Sequence, residues 1–459
     1  MNRESKAAAI YRKIWRWHFY AGLFVMPMIA VLSITGAIYL FKPQIDAWEE
    51  RAFAGLPTRG SVAPEAQVAA ALSAFPGKQM QAYRLPARTG DAAMILLSRP
   101  NDRQVLDVFV SPQGKVLGSI DPATRIAQIA HDVHGQLLLG RRGSWLVELA
   151  ASWAIVMILS GLYLWWPRRA GLGGVVWPRF GRGRRTLLRD VHAVTGFWVA
   201  GLALVLLATG LPWASVWGSG FKAVRSELGL VKGRQAWSTG GEAAEVDPHA
   251  MHDHNVMAGP ENSRVTRTTE GPTLSTFVAK AQSQHLPFPV MIVPPGAPQA
   301  FGAPPRPDWT VRSDTQNRPL AQTLRFDAAT GALIARETFA DSHPIDRIVG
   351  YGIAWHEGAL FGVVNQIIGL ATALMLITLS VSGFLMWRRQ KARNRLGAPL
   401  PATQSGSSLK LLAIIVGLAA LLPMLAISIP LVLAIEWLLL RRIPGAARWL
   451  GLDEGASPP

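Results

Sequence analysis

The 459-residue sequence has no cysteine. This excludes disulfides, thiolate-bound iron–sulfur clusters and haem attached covalently through C-x-x-C-H, and leaves imidazole as the side chain best suited to a transition metal. Charge is also scarce: 16% of the residues are Asp, Glu, Lys or Arg, while half are hydrophobic. That balance belongs to a membrane protein rather than to one large soluble core. Acids are the scarcer sign, 29 against 46 bases, and a net charge of +17 would ordinarily point to nucleic acid. Its distribution argues against that partner. Residues 1–16 hold five bases and one acid, 167–190 seven arginines and one aspartate, and 388–395 five bases and no acid. By contrast, 42–143 carries twelve bases and nine acids, and 218–355 thirteen of each. Basic clusters confined to short loops are the positive-inside pattern of membrane proteins, not a phosphate-binding face. No G-x-G-x-x-G fingerprint occurs in a strand–turn–helix setting, so a nicotinamide bound by this chain is not expected.

Four apolar runs are long enough for helical spans, about 16–41, 144–166, 190–216 and 364–387. Tryptophans 15, 17, 165, 166, 217 and 387 sit at their ends, as interfacial aromatics do. The basic N-terminus followed by an apolar run resembles a signal peptide. However, the run 14–41 is too long for one and lacks a small-residue cleavage site, so it reads as a retained span. The resulting plan is 1–41 (N-terminus and span 1), 42–143 (outer), 144–166 (span 2), 167–189 (basic inner loop), 190–217 (span 3), 218–355 (outer), 356–387 (span 4) and 388–409 (inner linker). An apolar segment follows at 410–441, then a tail at 442–459. Pro423 and Pro430 leave that segment open between one tilted helix and a re-entrant hairpin. The N-terminus is expected on the basic, cytoplasmic side.

The two outer segments have parallel patterns. In the first, a helix-like stretch at 64–75 precedes strand-like runs near 79–86, 91–98 and 104–110, a Ser-Pro-Gln-Gly turn and another short strand. In the second, a helix-like stretch at 273–284 precedes runs near 288–293, 308–313 and 320–326, an Asp-Ala-Ala-Thr-Gly turn and a last strand. Each reads as one helix on an antiparallel sheet. Residues 237–272, polar and Gly-containing, read as a flexible insertion.

The spans repeat as well. His18, Gly22 and Thr35-Gly36 recur at identical spacing as His192, Gly196 and Thr209-Gly210. Pro122, Arg125-Ile126, His134, Gly140, Ser160-Gly161 and Trp165 recur as Pro344, Arg347-Ile348, His356, Gly362, Ser382-Gly383 and Trp387. A span–outer domain–span unit in the same orientation twice predicts packing about a pseudo-two-fold axis along the membrane normal. The expected fold is thus an α-helical integral membrane protein built from a duplicated two-span unit, with four core spans, a C-terminal apolar segment and two α+β outer domains. The small residues alone fit close helix packing. The histidines add chemistry, because ionisable groups at membrane depth are functional candidates. The axis would bring His18 to His192 at one face and His134 to His356 at the other. Two facing imidazoles suit a six-coordinate haem iron, which takes four ligands from its porphyrin, and without cysteine the expected cofactor is haem b, in two copies by the two pairs. A protein-bound zinc would need more ligands. His131, one helical turn before His134, is an alternative ligand whose counterpart is Ile353.

These residues carry a family resemblance: Trp15-Arg16-Trp17-His18 with Gly22, His131-Asp132-Val133-His134-Gly135, the run 160–168, Arg189-Asp190-Val191-His192 with Thr195-Gly196, and Ser382-Gly383 with Trp387-Arg388-Arg389. Over 10–395 the chain resembles the PepSY-associated transmembrane family, the iron-regulated membrane proteins that include inner-membrane ferrisiderophore reductases. The resemblance implies PepSY-like periplasmic domains, a dihaem core in a bacterial inner membrane and, in some members, one-electron reduction of a ferric siderophore or similar Fe(III) chelate. The electron donor is not implied. Hard oxygen donors hold Fe(III) far better than Fe(II), so adding an electron releases the metal. The run 247–254, with His249, His252 and His254 near Met251 and Met257, is a second candidate metal site or a polar loop. A permease or accessory subunit for iron, siderophore or another metal is the main alternative, and a partner-binding role for the outer domains without haem a third. Mostly apolar mid-span residues favour electron transfer over transport.

The charge pattern makes a direct prediction. Alkaline phosphatase fused after Gly114 should be active and a fusion after Arg179 inactive; the opposite result would reverse the topology.

Overall fold

The computed structural model describes residues 6–99, 104–167, 173–230, 271–297, 305–390, 395–399 and 408–452. Helix α1 is Lys6–Tyr39, with short α2 (Lys42–Glu49) after it. Helix α3 (Pro64–Ala74) and strands β1 (Gln79–Arg84), β2 (Ala93–Ser98), β3 (Val105–Val110) and β4 (Val116–Ile120) lead to α4 (Ile126–Gln136) and α5 (Gly140–Trp165). Then come α6 (Gly183–Gly210), α7 (Ser215–Glu227), α8 (Leu274–Ser283), β5 (Val290–Val293), β6 (Trp309–Ser313), β7 (Gln322–Phe326) and β8 (Leu333–Thr338). Helices α9 (Pro344–His356), α10 (Val363–Gln390), α11 (Leu409–Leu421), α12 (Pro423–Leu438) and α13 (Pro444–Leu450) complete the chain.

Among the described residues five helical segments are long and apolar enough to cross a bilayer: Ala7–Tyr39, Gly140–Trp165, Gly183–Trp213, Val363–Gln390 and Pro423–Arg442. The protein is therefore a multi-pass membrane protein whose helices contact lipid. Helix α1 packs on α5 and α10, α6 packs on α10 and α5, and α12 lies against α5 and α7.

The two outer segments do not form separate sheets. All eight strands join in one antiparallel sheet of order β4-β3-β2-β1-β5-β6-β7-β8. The join is β1 against β5, with Tyr83 opposite Ile292 and Arg84 opposite Met291. Two four-stranded halves would each present an open backbone edge; pairing β1 with β5 closes both. One hydrophobic core then serves both halves, with Tyr83, Ile95 and Val108 from the first and Phe277, Ile292, Val311 and Leu324 from the second. Helices α3 and α8 contact each other, and Glu65 of α3 accepts hydrogen bonds from Ser275 N (2.6 Å) and Ser275 Oγ (2.5 Å) at the start of α8. A carboxylate there satisfies a helix N-terminus that would otherwise be unpaired.

Two boundaries differ from the sequence expectation, and the C-terminal segment that it left open takes a definite form. The helix of span 4 begins at Val363 rather than at 356, because Gly358 (φ +75°) and Gly362 (φ +58°) turn the backbone after α9; His356 is the last residue of that separate helix. Span 3 starts at Gly183, a full turn and more into the Arg-rich loop. The C-terminal apolar segment is two helices broken at Leu422, where Pro423 opens α12, since proline lacks the N–H to continue a helix but fits its first turn. Residues 237–270 of the insertion lie outside the described residues.

The shared sheet is testable in this cysteine-free chain. Opposed antiparallel residues lie about 4.5–5.5 Å apart at Cα, within the roughly 4.4–6.8 Å of a disulfide. Oxidation of the Arg84→Cys/Met291→Cys double variant should yield an internal cross-link, detected as a linked peptide by mass spectrometry. Two independent sheets would give none.

Candidate cofactor site between the helices

Helices α1, α5, α6 and α10 line a partly open cavity of about 1120 Å³, bordered at one end by α4 and α9. That exceeds the roughly 300–1,000 Å³ of ordinary single-ligand pockets. Its wall is mainly aliphatic and contains His18, His134, His192 and His356.

Each of these imidazoles is held in the same way from a neighbouring helix. His18 Nδ1 lies 2.9 Å from Ser160 Oγ, and His192 Nδ1 lies 3.1 Å from Ser382 Oγ. His134 Nδ1 lies 3.2 Å from Thr35 Oγ1 and 2.9 Å from the Leu32 carbonyl oxygen. His356 Nδ1 lies 3.1 Å from Thr209 Oγ1. An Nδ1–H that donates to a carbonyl sets the tautomer, so for His134 the other nitrogen, Nε2, is the one with a lone pair for a metal. A glycine follows each hydroxyl residue, and at three of the four a Cβ would crowd the ring. It would lie 3.2 Å from His18 Cε1 at Gly161, 3.1 Å from His134 Cε1 at Gly36 and 3.3 Å from His356 Cε1 at Gly210, whereas at Gly383 it would make ordinary contact with His192 Cε1 at 3.5 Å. The Ser-Gly and Thr-Gly dipeptides are thus hydroxyl-plus-gap cradles for histidine.

The four form two sets at different depths. His134 and His356 face each other with ring centroids 6.1 Å apart and planes at 78°. His18 and His192 line the same cavity, against Gly161 of α5 and Gly383 of α10. From His18 to Gly36, which touches His134, α1 climbs about 27 Å at 1.5 Å per residue. His131 borders the cavity too, but its Nδ1 turns to Asp132 Oδ1 at 3.3 Å and its ring lies 5.5 Å from that of Tyr39. It does not join the facing pair. His249, His252 and His254 lie outside the described residues.

Buried ion pairs fix the two short histidine-bearing helices. Arg125, just before α4, donates to Asp107 of β3 at 2.8 Å and pairs with Glu50 at 2.9 Å. At the start of α9 the polarity is reversed: Asp346 receives both arms of Arg225 of α7, at 2.9 and 2.8 Å. Helix α7 is in turn fixed by Glu148 of α5, whose carboxylate accepts the N–H groups of Val216 (2.8 Å) and Trp217 (3.0 Å). After His134 the chain turns through Leu137 and Leu138, both at positive φ (51° and 58°), which brings α5 back against α4. Next to His356, burial lifts the Glu357 carboxyl to about 7, opposed by the nearby cations Arg318 and Lys42.

A family model described as the PepSY-associated TM region matches residues 15–390. The chain belongs to this family. The match takes in all four cradled histidines and ends before α11, so the last three helices of this PepSY-associated protein lie beyond it. A comparison with curated proteins found no match.

The sequence marks the histidines as candidates but gives Ser160, Ser382, Thr35 and Thr209 only as recurring residues next to glycine. The available signal was their recurrence at fixed spacing beside the histidine positions. Glu148 gave no comparable signal, since Leu370 occupies the equivalent position of the other half.

A neutral hydrogen bond contributes about 0.5–1.5 kcal/mol. Thr35→Val and Thr209→Val, which keep shape but lose the hydroxyl, should each destabilise the detergent-solubilised protein by about that amount in chemical denaturation. Gly36→Val should cost more, because its side chain must displace the His134 ring.

Proposed function

We propose that this PepSY-associated protein is a haem-containing inner-membrane reductase. In this reading its N-terminus is cytoplasmic, and it passes electrons to a periplasmic ferric siderophore or a similar Fe(III) chelate during iron uptake. The observation that carries the proposal is the facing of two cradled imidazoles, His134 and His356, at 6.1 Å across an apolar cavity. With metal–imidazole bonds of about 2.0–2.1 Å, a central iron and the two ring radii require roughly that spacing. The donor set also favours a group that brings its own ligands: among the described residues no cluster of three or more His, Cys, Asp or Glu could hold a bare metal ion. The equivalent cradles of His18 and His192 support a second site, and matched contacts in both halves support a duplicated two-span unit with PepSY-like outer domains.

When bound, haem iron supplies one-electron redox chemistry. The residues' part is to hold and insulate. Ser160, Ser382, Thr35 and Thr209 orient the imidazoles, and the aliphatic wall excludes water. Helices α1 and α6 each carry contacts for both sites, so the inner and outer pairs keep a fixed separation. The basic loops support the orientation. With the sheet outside, the His134–His356 end is the one nearer the Fe(III) acceptor. A permease is the second reading, favoured by the length of the cavity between the helices.

Absorption spectroscopy separates the two. The purified protein should carry about two non-covalent b haems by pyridine haemochrome assay, consistent with two histidine pairs. His18→Ala should disturb one spectroscopic haem and His356→Ala the other, with His131→Ala sparing both. Ferric reduction should be lost with His356→Ala. Absence of haem after expression with ample haem would favour the permease, and loss of the same haem in both alanine variants would mean a single shared site.

A further inference from the structure

We propose that the turn 173–182, between α5 and α6, is a lipid-binding device: it seats Trp177 and Phe180 in the bilayer, and Arg182, Arg184 and Arg185 beside it bind the phosphates of anionic phospholipids. The inference does not depend on the cofactor reading above. Helices α5 and α6 are consecutive spanning segments, so the turn that joins them meets one leaflet whichever way the chain is oriented. Its surface is apolar where a soluble loop would be polar. Phe180 is 76% exposed and Trp177 55% exposed, and Trp198 of α6, which holds the turn, is exposed as well. An exposed apolar cluster rimmed by cations is the composition of a membrane-interface element.

The turn is fixed against the spans. Trp165 Nε1, at the end of α5, donates to the Val175 carbonyl at 2.9 Å, and Trp198 Nε1 donates to the Val176 carbonyl at 3.0 Å. Trp165 also stacks on Phe197, with ring centroids 4.2 Å apart. The end of α5 is therefore level with Phe197, while α6 continues past it back to its own start at Gly183, and the turn lies along that overhang. Its return leg is stapled by Arg179. The backbone N–H, Nε and Nη2 of this residue all donate to the buried Asp190 carboxylate, at 3.2, 2.7 and 2.8 Å. The two indoles thus hold Val175 and Val176 at the depth of the spans. Along α6, Arg184 and Arg185 lie about 20 Å from Trp198 at 1.5 Å per residue, a distance that leads from the hydrocarbon region into the headgroup layer.

The three arginines supply the charge complement. Arg182, Arg184 and Arg185 are exposed, and among the described residues no carboxylate forms an ion pair with any of them. The nearest acid along the chain, Asp190, is taken by Arg179. Guanidinium matches phosphate geometry with paired donors. The aromatic pair alone would suit any lipid. The cations select the headgroup, because basic residues at a bilayer surface are attracted to its negatively charged lipids.

The test uses the full-length protein, whose lack of cysteine permits single labels. In nanodiscs of phosphatidylcholine and phosphatidylglycerol, a spin label on Phe180→Cys should be reached by oxygen more readily than by an aqueous nickel chelate. A label on Ser119→Cys, exposed on β4, should show the reverse. Readier access of the nickel chelate to position 180 would overturn the proposal. In native mass spectrometry the wild type should retain phosphatidylglycerol over phosphatidylcholine. That preference should fall about fivefold with each of Arg182→Gln, Arg184→Gln and Arg185→Gln, the effect of one basic contact apiece. Equal retention of the two lipids by the wild type, or an undiminished preference in the triple Gln variant, would overturn the proposal. So would an equal loss per arginine from Arg388→Gln/Arg389→Gln at the end of α10, which would mean diffuse attraction to the whole basic face. Should the triple variant fail to fold, the single variants and the Phe180→Cys label still decide.

Discussion

The hydrogen bond from each buried imidazole to a hydroxyl on the next helix is the constraint on which the rest of the bundle depends. A bilayer offers no water to a polar group, so an imidazole at that depth must find its partner inside the protein. Four times the partner is a Ser or Thr followed by glycine, and four times the ring lies against that glycine. This geometry sets the approach of α1 to α5 and of α6 to α10, and seats the ends of α4 and α9. It also keeps polar surface off the lipid while directing ring nitrogen into the cavity.

Charge pairs outside the spans extend the same logic. The helices that carry His134 and His356 are short and are anchored at their starts by buried arginine–carboxylate contacts of opposite polarity. Pairs of this kind are poor sources of net stability, because desolvation offsets their attraction, but breaking one leaves an uncompensated buried charge. Their value here is positional. They tie the end of the bundle to the eight-stranded sheet through Asp107 of β3 and to α5 through α7 and Glu148. A single sheet joins both outer segments over a core that both share.

On the function proposed above, the arrangement would serve electron transfer rather than transport. The histidines sit at two depths, separated along helices that each touch both sites, and the wall between them is aliphatic. A rigid frame with fixed spacing serves the first task, whereas alternating access needs broken helices and a site that opens to each side in turn. Among the described residues, the marked break between apolar helices is at Leu422, between α11 and the start of the fifth spanning segment, in the part of the chain beyond the family match.

The sequence by itself determined the four core spans and left the C-terminal apolar segment open, because bilayer thickness translates directly into the length of an apolar run but not into where a proline breaks it. It also determined the helix and strands of each outer segment, whose short-range alternation and turn residues need no distant partner. Fixed spacing of His18, His134, His192 and His356 marked them as one set. Only the tertiary structure decided that both outer segments share a single sheet, since an edge strand's partner is a matter of which free edge it meets. The same holds for the choice of His134 over His131 to face His356. The two lie one turn apart on α4, and which of them faces the cavity depends on how α4 is seated on α1, a contact between residues about a hundred positions apart in the chain.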